Sequence, residues 1–266
     1  MKAFWQREGS TPNCTTASLR FNGYGAHVAG IIAGDGTLSK GRIRGVAPEA
    51  GIAAVKVLDK RGNGKIGTMV KGIQWILDHA NEYGIRIVNI SVGAFSMKGM
   101  NENTELVQAV DLLWKAGLVV CVAAGNEGGR KRPCITTPGI LRSVITVGSS
   151  DDEFMVDETG REFQNYSGKG TTDSCICKPE IVAPGTNIIS TNAITQRNKK
   201  PYAVKSGTSM STPIVSGAIA LLLEKYPDMT NGEVKLHLKQ TAKDISLPFA
   251  HQGWGQIHIA SLLHDF

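Results

Sequence analysis

Short apolar runs alternate along the chain with segments in which apolar side chains recur every three or four positions. Four runs have the length and the β-branched content of buried strands: residues 52–58, 85–92, 118–124 and 143–147. Helices are predicted over residues 68–83, 104–114 and 231–241, the last with Thr230 as N-cap and Glu233 at capping-box spacing. Because strands that alternate with helices are joined by right-handed crossovers, this order predicts one α/β domain with a mainly parallel sheet covered on both faces.

A loop of small residues leads into a buried helix in the last third of the chain. Residues 206–213 have the sequence Ser-Gly-Thr-Ser-Met-Ser-Thr-Pro and precede the apolar stretch 214–223. Pro213 fits the first turn of a helix, where a missing N–H costs no hydrogen bond. Ser209 would then stand at a helix N-terminus, with a hydroxyl that can attack a carbonyl and an N–H that can bind the oxyanion. The alternative is that Thr208 or Ser209 only caps the helix.

The predicted strand over residues 118–124 ends in a glycine-rich turn that contains Asn126. Asn126 therefore stands at the carboxyl end of a parallel strand, the edge at which α/β sheets carry their sites. Asparagine tolerates left-handed turn conformations, so a plain turn residue is one interpretation. The other interpretation is that its amide donates a hydrogen bond to an oxyanion formed at Ser209.

Several segments, in order along the chain, resemble motifs of the subtilisin family of serine peptidases. Residues 207–213 are similar to its nucleophile motif, residues 123–126 to its oxyanion-hole motif and residues 89–93 to its substrate-binding strand. Residues 178–185, Lys-Pro-Glu-Ile-Val-Ala-Pro-Gly, resemble a further segment of the family. The resemblance implies a three-layer subtilisin-like fold over residues 22–266. It also implies serine endopeptidase activity on peptide or protein substrates, with Ser209 as nucleophile and Asn126 in the oxyanion hole.

The same resemblance implies which residues contact a substrate. Backbone groups of an extended peptide would pair with two segments: Ser91, Val92 and Gly93 on one side, and Gly62, Asn63 and Gly64 on the other. Thr136 corresponds to the pocket for the substrate side chain, near a position where the family often has glycine, so a large side chain is not expected to fit. The alternative is that these residues are ordinary strand and loop.

The histidine motif of the family is altered in this chain. Residues 24–30 have the sequence Tyr-Gly-Ala-His-Val-Ala-Gly, so Tyr24 stands at the catalytic histidine position and His27 at that of the second, non-catalytic histidine. The triad order is Asp, His, Ser, yet no aspartate precedes Asp35. A phenol keeps its proton at neutral pH and is a poor base; the alternative is that His27 takes that role. We therefore predict that a chain with this sequence has no peptidase activity. The alternatives are a pseudoprotease that binds peptides or has a regulatory role, and a non-functional fragment of a longer peptidase.

Residues 1–21 show no clear periodicity and are predicted to be an irregular N-terminal segment. The resemblance implies that the strand with the family's aspartate belongs upstream of Tyr24, and no run of apolar β-formers in residues 1–21 replaces it. A parallel sheet without an interior strand exposes unpaired N–H and C=O groups on two neighbours. We therefore expect that strand to be missing, and the sheet to close up, to accept a complementing polypeptide, or to fold poorly.

Composition narrows the remaining function classes. The net charge of +6 arises from scattered lysines and arginines and not from a concentrated basic face, so nucleic-acid binding is not predicted. The five cysteines lack the paired spacing of a disulfide framework, and Cys175 and Cys177 lack the two-residue spacer usual in zinc pairs. No metal and no cofactor are predicted. No apolar run follows Met1 and no stretch is long enough to span a membrane, so a cytoplasmic protein without a membrane partner is predicted.

Overall fold

The computed structural model describes residues 2–5, 23–59, 62–93, 104–128, 134–156, 160, 162–172, 174–194 and 199–264. The strands of this described part are, in chain order, β1 Lys2–Trp5, β2 Gly51–Ala54, β3 Ile85–Ile90, β4 Val119–Ala123, β5 Ile145–Ser149, β6 Met155–Val156, β7 Glu162–Phe163, β8 Gly170–Thr171, β9 Cys177–Lys178, β10 Ile181–Ala183, β11 Ile188–Thr191 and β12 Tyr202–Lys205. The helices are α1 Gly23–Ala33, α2 Ile66–His79, α3 Glu105–Lys115, α4 Thr208–Lys225, α5 Asn231–Thr241, α6 Phe249–Gln252 and α7 Ile259–Leu262, with a 3-10 turn at Thr37–Ser39. None of the described helices is both long enough and apolar enough to cross a membrane.

A six-stranded sheet in the order β10-β5-β4-β3-β1-β2 forms the centre of the fold. Three neighbouring pairs of strands are parallel: β3 with β4, β4 with β5 and β5 with β10. Strands β2 and β3 both pair antiparallel with β1, so they are parallel to each other. The predicted mainly parallel sheet is therefore confirmed.

Helices cover both faces of this sheet, as the alternation of buried residues along β4 shows. Val119 and Cys121 pack with apolar residues of α1, α4, α5 and α7 in one cluster. Val120 and Val122 pack with residues of α2 and α3 in a second cluster. Since successive side chains of a strand point to opposite faces, the two clusters are the two cores of a three-layer α/β structure. The capping box predicted at Thr230 is also present, at the start of α5.

The N-terminal residues correct two expectations. Residues Lys2–Trp5 form β1 in the interior of the sheet, where Lys2 lies opposite Ala54 on one side and Asn89 on the other. The prediction of an irregular segment is therefore wrong for these four residues, and the interior position expected to be empty is occupied. Four residues are too few to show a hydrophobic period. Strand β1 runs opposite to its neighbours and carries no aspartate, so it is not the family's aspartate strand; residues 6–22 lie outside the described ones.

Helix α1 is fastened to the two-stranded sheet β11–β12. The buried His27 ring donates from Nε2 to the carbonyl oxygens of Ile188, at 3.0 Å, and Ala203, at 3.1 Å. Ser190 donates in return to the His27 carbonyl at 2.9 Å. A Cβ at Gly30 would come within 2.2 Å of the Thr191 hydroxyl, so glycine is required for this close approach. These contacts fix where the start of α1 lies.

Replacing His27 with leucine is expected to lower the free energy of unfolding by about 1–3 kcal/mol, because two carbonyls would lose their donor inside the core. Urea unfolding followed by circular dichroism measures this. The variant His27→Gln keeps an N–H donor, so its free energy of unfolding should lie between those of the unaltered chain and the leucine variant. A leucine variant as stable as the unaltered chain would show that this contact contributes nothing.

Candidate active site

Ser209 is the second residue of α4, which follows Gly207. The Ser209 side chain is partly exposed, whereas Thr208 and Met210 on either side are buried. Gly207 has a φ of 134°, and a Cβ there would lie 2.8 Å from the Asn126 amide nitrogen. The chain therefore needs glycine at this position so that the start of α4 can lie against Asn126.

Pro213 lies deeper in this helix than the sequence suggested. It is the sixth residue of α4 and not a first-turn residue, so that expectation is wrong. Because proline has no N–H, it offers no helical donor to the carbonyl of Ser209, four residues earlier. The helix starts earlier than expected because the small residues of the preceding loop already adopt helical geometry from Thr208 onward.

Asn126 and Ser209 are brought together through Thr208. The Asn126 side-chain oxygen accepts from the Thr208 N–H and from the Thr208 hydroxyl, each at 3.0 Å. The Thr208 hydroxyl accepts in turn from the Gly125 N–H at 3.1 Å. Since two donors hold the amide oxygen, the orientation of the Asn126 NH₂ group is fixed. The structure thus places the predicted nucleophile and the predicted oxyanion donor at one edge of the sheet, while their catalytic roles stay predictions.

Tyr24, the second residue of α1, joins the same site. Its hydroxyl donates to the carbonyl oxygen of Ser91 at 2.6 Å. The Ser209 hydroxyl donates to the same carbonyl oxygen at 3.1 Å. Burial raises the pKa of Tyr24 to about 12, and its interaction with the Ser209 hydroxyl only partly opposes this increase. Tyr24 therefore holds its proton at neutral pH and cannot accept the proton of Ser209.

The two segments predicted to flank a peptide differ in structure. Ser91 is buried just beyond the end of β3, Val92 is partly buried and Gly93 is exposed. The other segment, which contains Gly62, Asn63 and Gly64, is an exposed loop and not a strand. Asp59 closes this loop with hydrogen bonds to and from the Asn63 backbone at 2.8 and 2.9 Å. Within the described residues, no strand pairing joins the loop to residues 91–93.

Thr136 fills the space between two glycines of the site. A Cβ on Gly93 would lie 2.5 Å from the Thr136 hydroxyl, and a Cβ on Gly125 would lie 2.5 Å from its methyl carbon. The Thr136 backbone N–H donates to Ala124 at 2.9 Å, which fixes the residue against the end of β4. Thr136 as a whole is only 8% exposed. Space beside residue 93 is therefore restricted, and a role of Thr136 in a substrate pocket stays a prediction.

The arrangement has part of what acyl transfer requires. Ser209 supplies a hydroxyl and a backbone N–H at the start of α4, where the helix dipole favours a negative charge. This N–H and the Asn126 amide can together stabilise an oxyanion, whereas the Thr208 and Met210 N–H groups already donate to Asn126 and Gly207. The Nε2 of His27 is bound to the carbonyls of Ile188 and Ala203, which supports a structural role for this histidine. Among the described residues, no group of three or more histidine, cysteine, aspartate or glutamate side chains could hold a metal.

Comparison with known proteins identifies the family. The family model of the subtilases, Peptidase S8, matches residues 1–255. The chain is 40% identical over 231 residues to the serine protease AprX of Bacillus subtilis (strain 168), covering 82% of this chain and 52% of AprX. It is 35% identical over 240 residues to subtilisin DY of Bacillus licheniformis, covering 90% of this chain and 76% of that protein.

Solved structures agree with this result. Sphericase superposes with a TM-score of 0.73 at 29% identity, covering 94% of this chain and 81% of that chain. The S41 psychrophilic protease superposes with a TM-score of 0.72 at 30% identity, covering 89% and 77%. The chain belongs to the subtilase family, as its motifs predicted. It spans about half the length of AprX.

Proposed function

We propose that this chain is a subtilisin-family serine endopeptidase domain and that, with its present sequence, its rate of peptide hydrolysis is negligible. Ser209 is the nucleophile, Asn126 belongs to the oxyanion hole, and Tyr24 stands in place of the base. The observation that supports this most directly is that the hydroxyls of Tyr24 and Ser209 both donate to the carbonyl oxygen of Ser91. A serine nucleophile needs a partner that removes its proton, and neither a carbonyl oxygen nor a protonated phenol does so.

The substrates of this domain are proposed to be peptides or proteins, because the matching family is a peptidase family and AprX is named a serine protease. The cytoplasmic location predicted from the sequence stays a prediction. Hydrolysis of fluorescein-labelled casein by the purified chain tests the proposal beside a Ser209→Ala variant prepared identically. Equal rates are expected. A rate that depends on Ser209 would contradict the proposal, because it would require a base that activates this hydroxyl.

A second candidate function is that of a pseudoprotease, which binds an extended peptide without cleaving it. The fixed Asn126 amide and the position of residues 91–93 at the carboxyl end of β3 favour it, since neither depends on a catalytic base. A complementing polypeptide, by contrast, would have to displace β1 from its place between β2 and β3. Saturable binding of a labelled peptide by Ser209→Ala supports the pseudoprotease, and its absence argues against it.

Replacing Thr136 with glycine is expected to change which peptide side chain the pocket prefers. The variant should bind a peptide with an aromatic side chain about tenfold or more tightly than the same peptide with alanine in its place, because a side-chain pocket discriminates by roughly 1–3 kcal/mol per methylene. Fluorescence anisotropy with two labelled peptides measures the ratio of dissociation constants. The variant Thr136→Val keeps the volume and is the control. An unchanged ratio in the glycine variant would show that Thr136 does not limit this pocket.

A further inference from the structure

The carbonyl oxygen of Ser91 receives hydrogen bonds from two side chains that are distant in sequence. Tyr24 donates from 67 residues away at 2.6 Å, and Ser209 donates from 118 residues away at 3.1 Å. A backbone carbonyl oxygen has two lone pairs. The hydroxyls of Tyr24 and Ser209 can therefore take both acceptor positions of the Ser91 carbonyl.

An extended peptide that adds to a strand pairs its N–H groups with backbone carbonyls. Ser91 lies directly after β3, and β3 already pairs with β1 on one side and β4 on the other. Residues 91–93 beyond the strand are therefore the part of this segment that can accept a peptide. A peptide N–H that approaches Ser91 meets an acceptor that is already used.

We propose that Tyr24 is an autoinhibitory residue whose hydroxyl occupies the Ser91 carbonyl and so keeps an extended peptide from pairing there. This inference rests on the proposed peptide-binding function of the cleft. Tyrosine at the family's histidine position would then have two effects: the loss of a base and the occupation of a peptide-binding acceptor. Tyr24 competes with the peptide for one hydrogen-bond acceptor.

Tyr24, and not Ser209, controls this acceptor. Its hydrogen bond is the shorter of the two, and its ring packs against the buried cluster beneath α1. The start of α1 is fixed by the His27 contacts with β11 and β12.

The competition is expected to persist over the whole working pH range. Burial raises the pKa of Tyr24 to about 12, so the hydroxyl keeps the proton that it donates. A histidine in the same place would lose or gain a proton near neutral pH. Because the donor is a tyrosine, peptide affinity is expected to stay unchanged between about pH 6 and 9.

The hydrogen bond can be observed without any ligand. The chain contains two Ser–Val pairs, Ser91–Val92 and Ser143–Val144. Labelling serine with ¹³C at the carbonyl and valine with ¹⁵N therefore gives two signals in a carbonyl-to-nitrogen correlation spectrum. Tyr24→Phe should move the Ser91 carbonyl signal upfield, as the loss of a donor requires, and leave the Ser143 signal in place. An unmoved Ser91 signal would overturn the inference.

Peptide binding tests the consequence. The probe is a fluorescein-labelled, amidated hexapeptide of alternating threonine and alanine, whose small side chains suit the space beside Thr136. Tyr24→Phe is expected to bind it about tenfold more tightly than the unaltered chain, which corresponds to about 1.4 kcal/mol. Tyr226→Phe is the matched control, since Tyr226 follows the last residue of α4, about 25 Å along the helix from Ser209. Its affinity should equal that of the unaltered chain.

A series of depsipeptides identifies the N–H group concerned. Each member replaces one amide of the hexapeptide with an ester, which removes one donor. One member of the series, with its ester at the N–H that pairs with Ser91, should stand out. Its loss of affinity should be several-fold larger for Tyr24→Phe than for the unaltered chain. If the phenylalanine variant does not fold, Tyr24→Leu also removes the donor and takes its place.

The possible outcomes separate the inference from the function on which it rests. Equal, measurable affinities for the unaltered chain and Tyr24→Phe would overturn the inference and leave the peptide-binding cleft standing. No binding by either chain would overturn the peptide-binding function and the inference with it. Tighter binding by Tyr24→Phe, together with the shifted Ser91 signal, is the expected result.

Discussion

Peptide hydrolysis by this chain is expected to lie about 10⁶-fold below that of a subtilase with a complete triad, and Tyr24→His is expected to recover no more than about 10² of that loss. In subtilisin itself, removal of the histidine costs about 2 × 10⁶ in kcat and removal of the aspartate alone about 3 × 10⁴. These figures belong to subtilisin and are carried over as expectations for a relative. No aspartate precedes Asp35 in this chain, so a new histidine would lack the carboxylate that orients its ring.

The measurement is kcat on a fluorogenic peptide amide for the unaltered chain, Tyr24→His and the double variant Tyr24→His/Ser209→Ala. The double variant shows how much hydrolysis is independent of the serine. A serine-dependent increase of about 10⁴-fold or more in Tyr24→His would contradict the expectation. It would mean that some carboxylate of the chain already orients a side chain at position 24.

Replacing Glu180 with alanine is expected to lower the free energy of unfolding by about 3–5 kcal/mol, because it leaves a buried ammonium without its counter-charge. The Lys178 side chain is fully buried, and its Nζ lies 2.6 Å from a carboxylate oxygen of Glu180. Lys235 donates to the same oxygen at 3.2 Å, and the Thr146 N–H donates to the other at 2.8 Å. Glu180 thus holds two cations and one backbone donor.

Urea unfolding measures this loss beside a matched double variant, Lys178→Met/Glu180→Gln. The double variant removes both charges of the buried pair and keeps an acceptor for the Thr146 N–H. It should be more stable than Glu180→Ala, because replacing a buried pair as a whole is far less costly than removing one partner. A loss below about 1 kcal/mol in Glu180→Ala would show that water or a neighbouring group compensates for the Lys178 charge.

The hydrophobic pattern predicted strands β3, β4 and β5 because these strands are buried on both faces. Every residue of β4 is buried, and such a continuous apolar run is distinctive in sequence. The pattern failed at β1, which has four residues and takes its place only through pairing with β2 and β3. Pairing partners that are far apart along the chain leave no local period.

The site was predictable in its residues and not in its contacts. Sequence motifs identified Ser209 and Asn126, because a serine at the start of a helix and an asparagine at the end of a strand can be recognised from the local sequence. The link through Thr208 and the shared Ser91 acceptor are contacts between residues 67 to 118 positions apart. Tyr24 was expected to fail as a base, but its hydrogen bond to Ser91 depends on how α1 packs against the sheet.

We expect that no group of this chain activates Ser209 as a nucleophile. Time-resolved labelling of the purified protein with a fluorophosphonate, which reacts with activated serines, tests it directly beside Ser209→Ala and an active subtilase as positive control. We expect the unaltered chain to be labelled no faster than Ser209→Ala, while the active subtilase is labelled rapidly. Rapid labelling of the unaltered chain that is absent from Ser209→Ala would contradict this expectation, because it would require a base that activates Ser209.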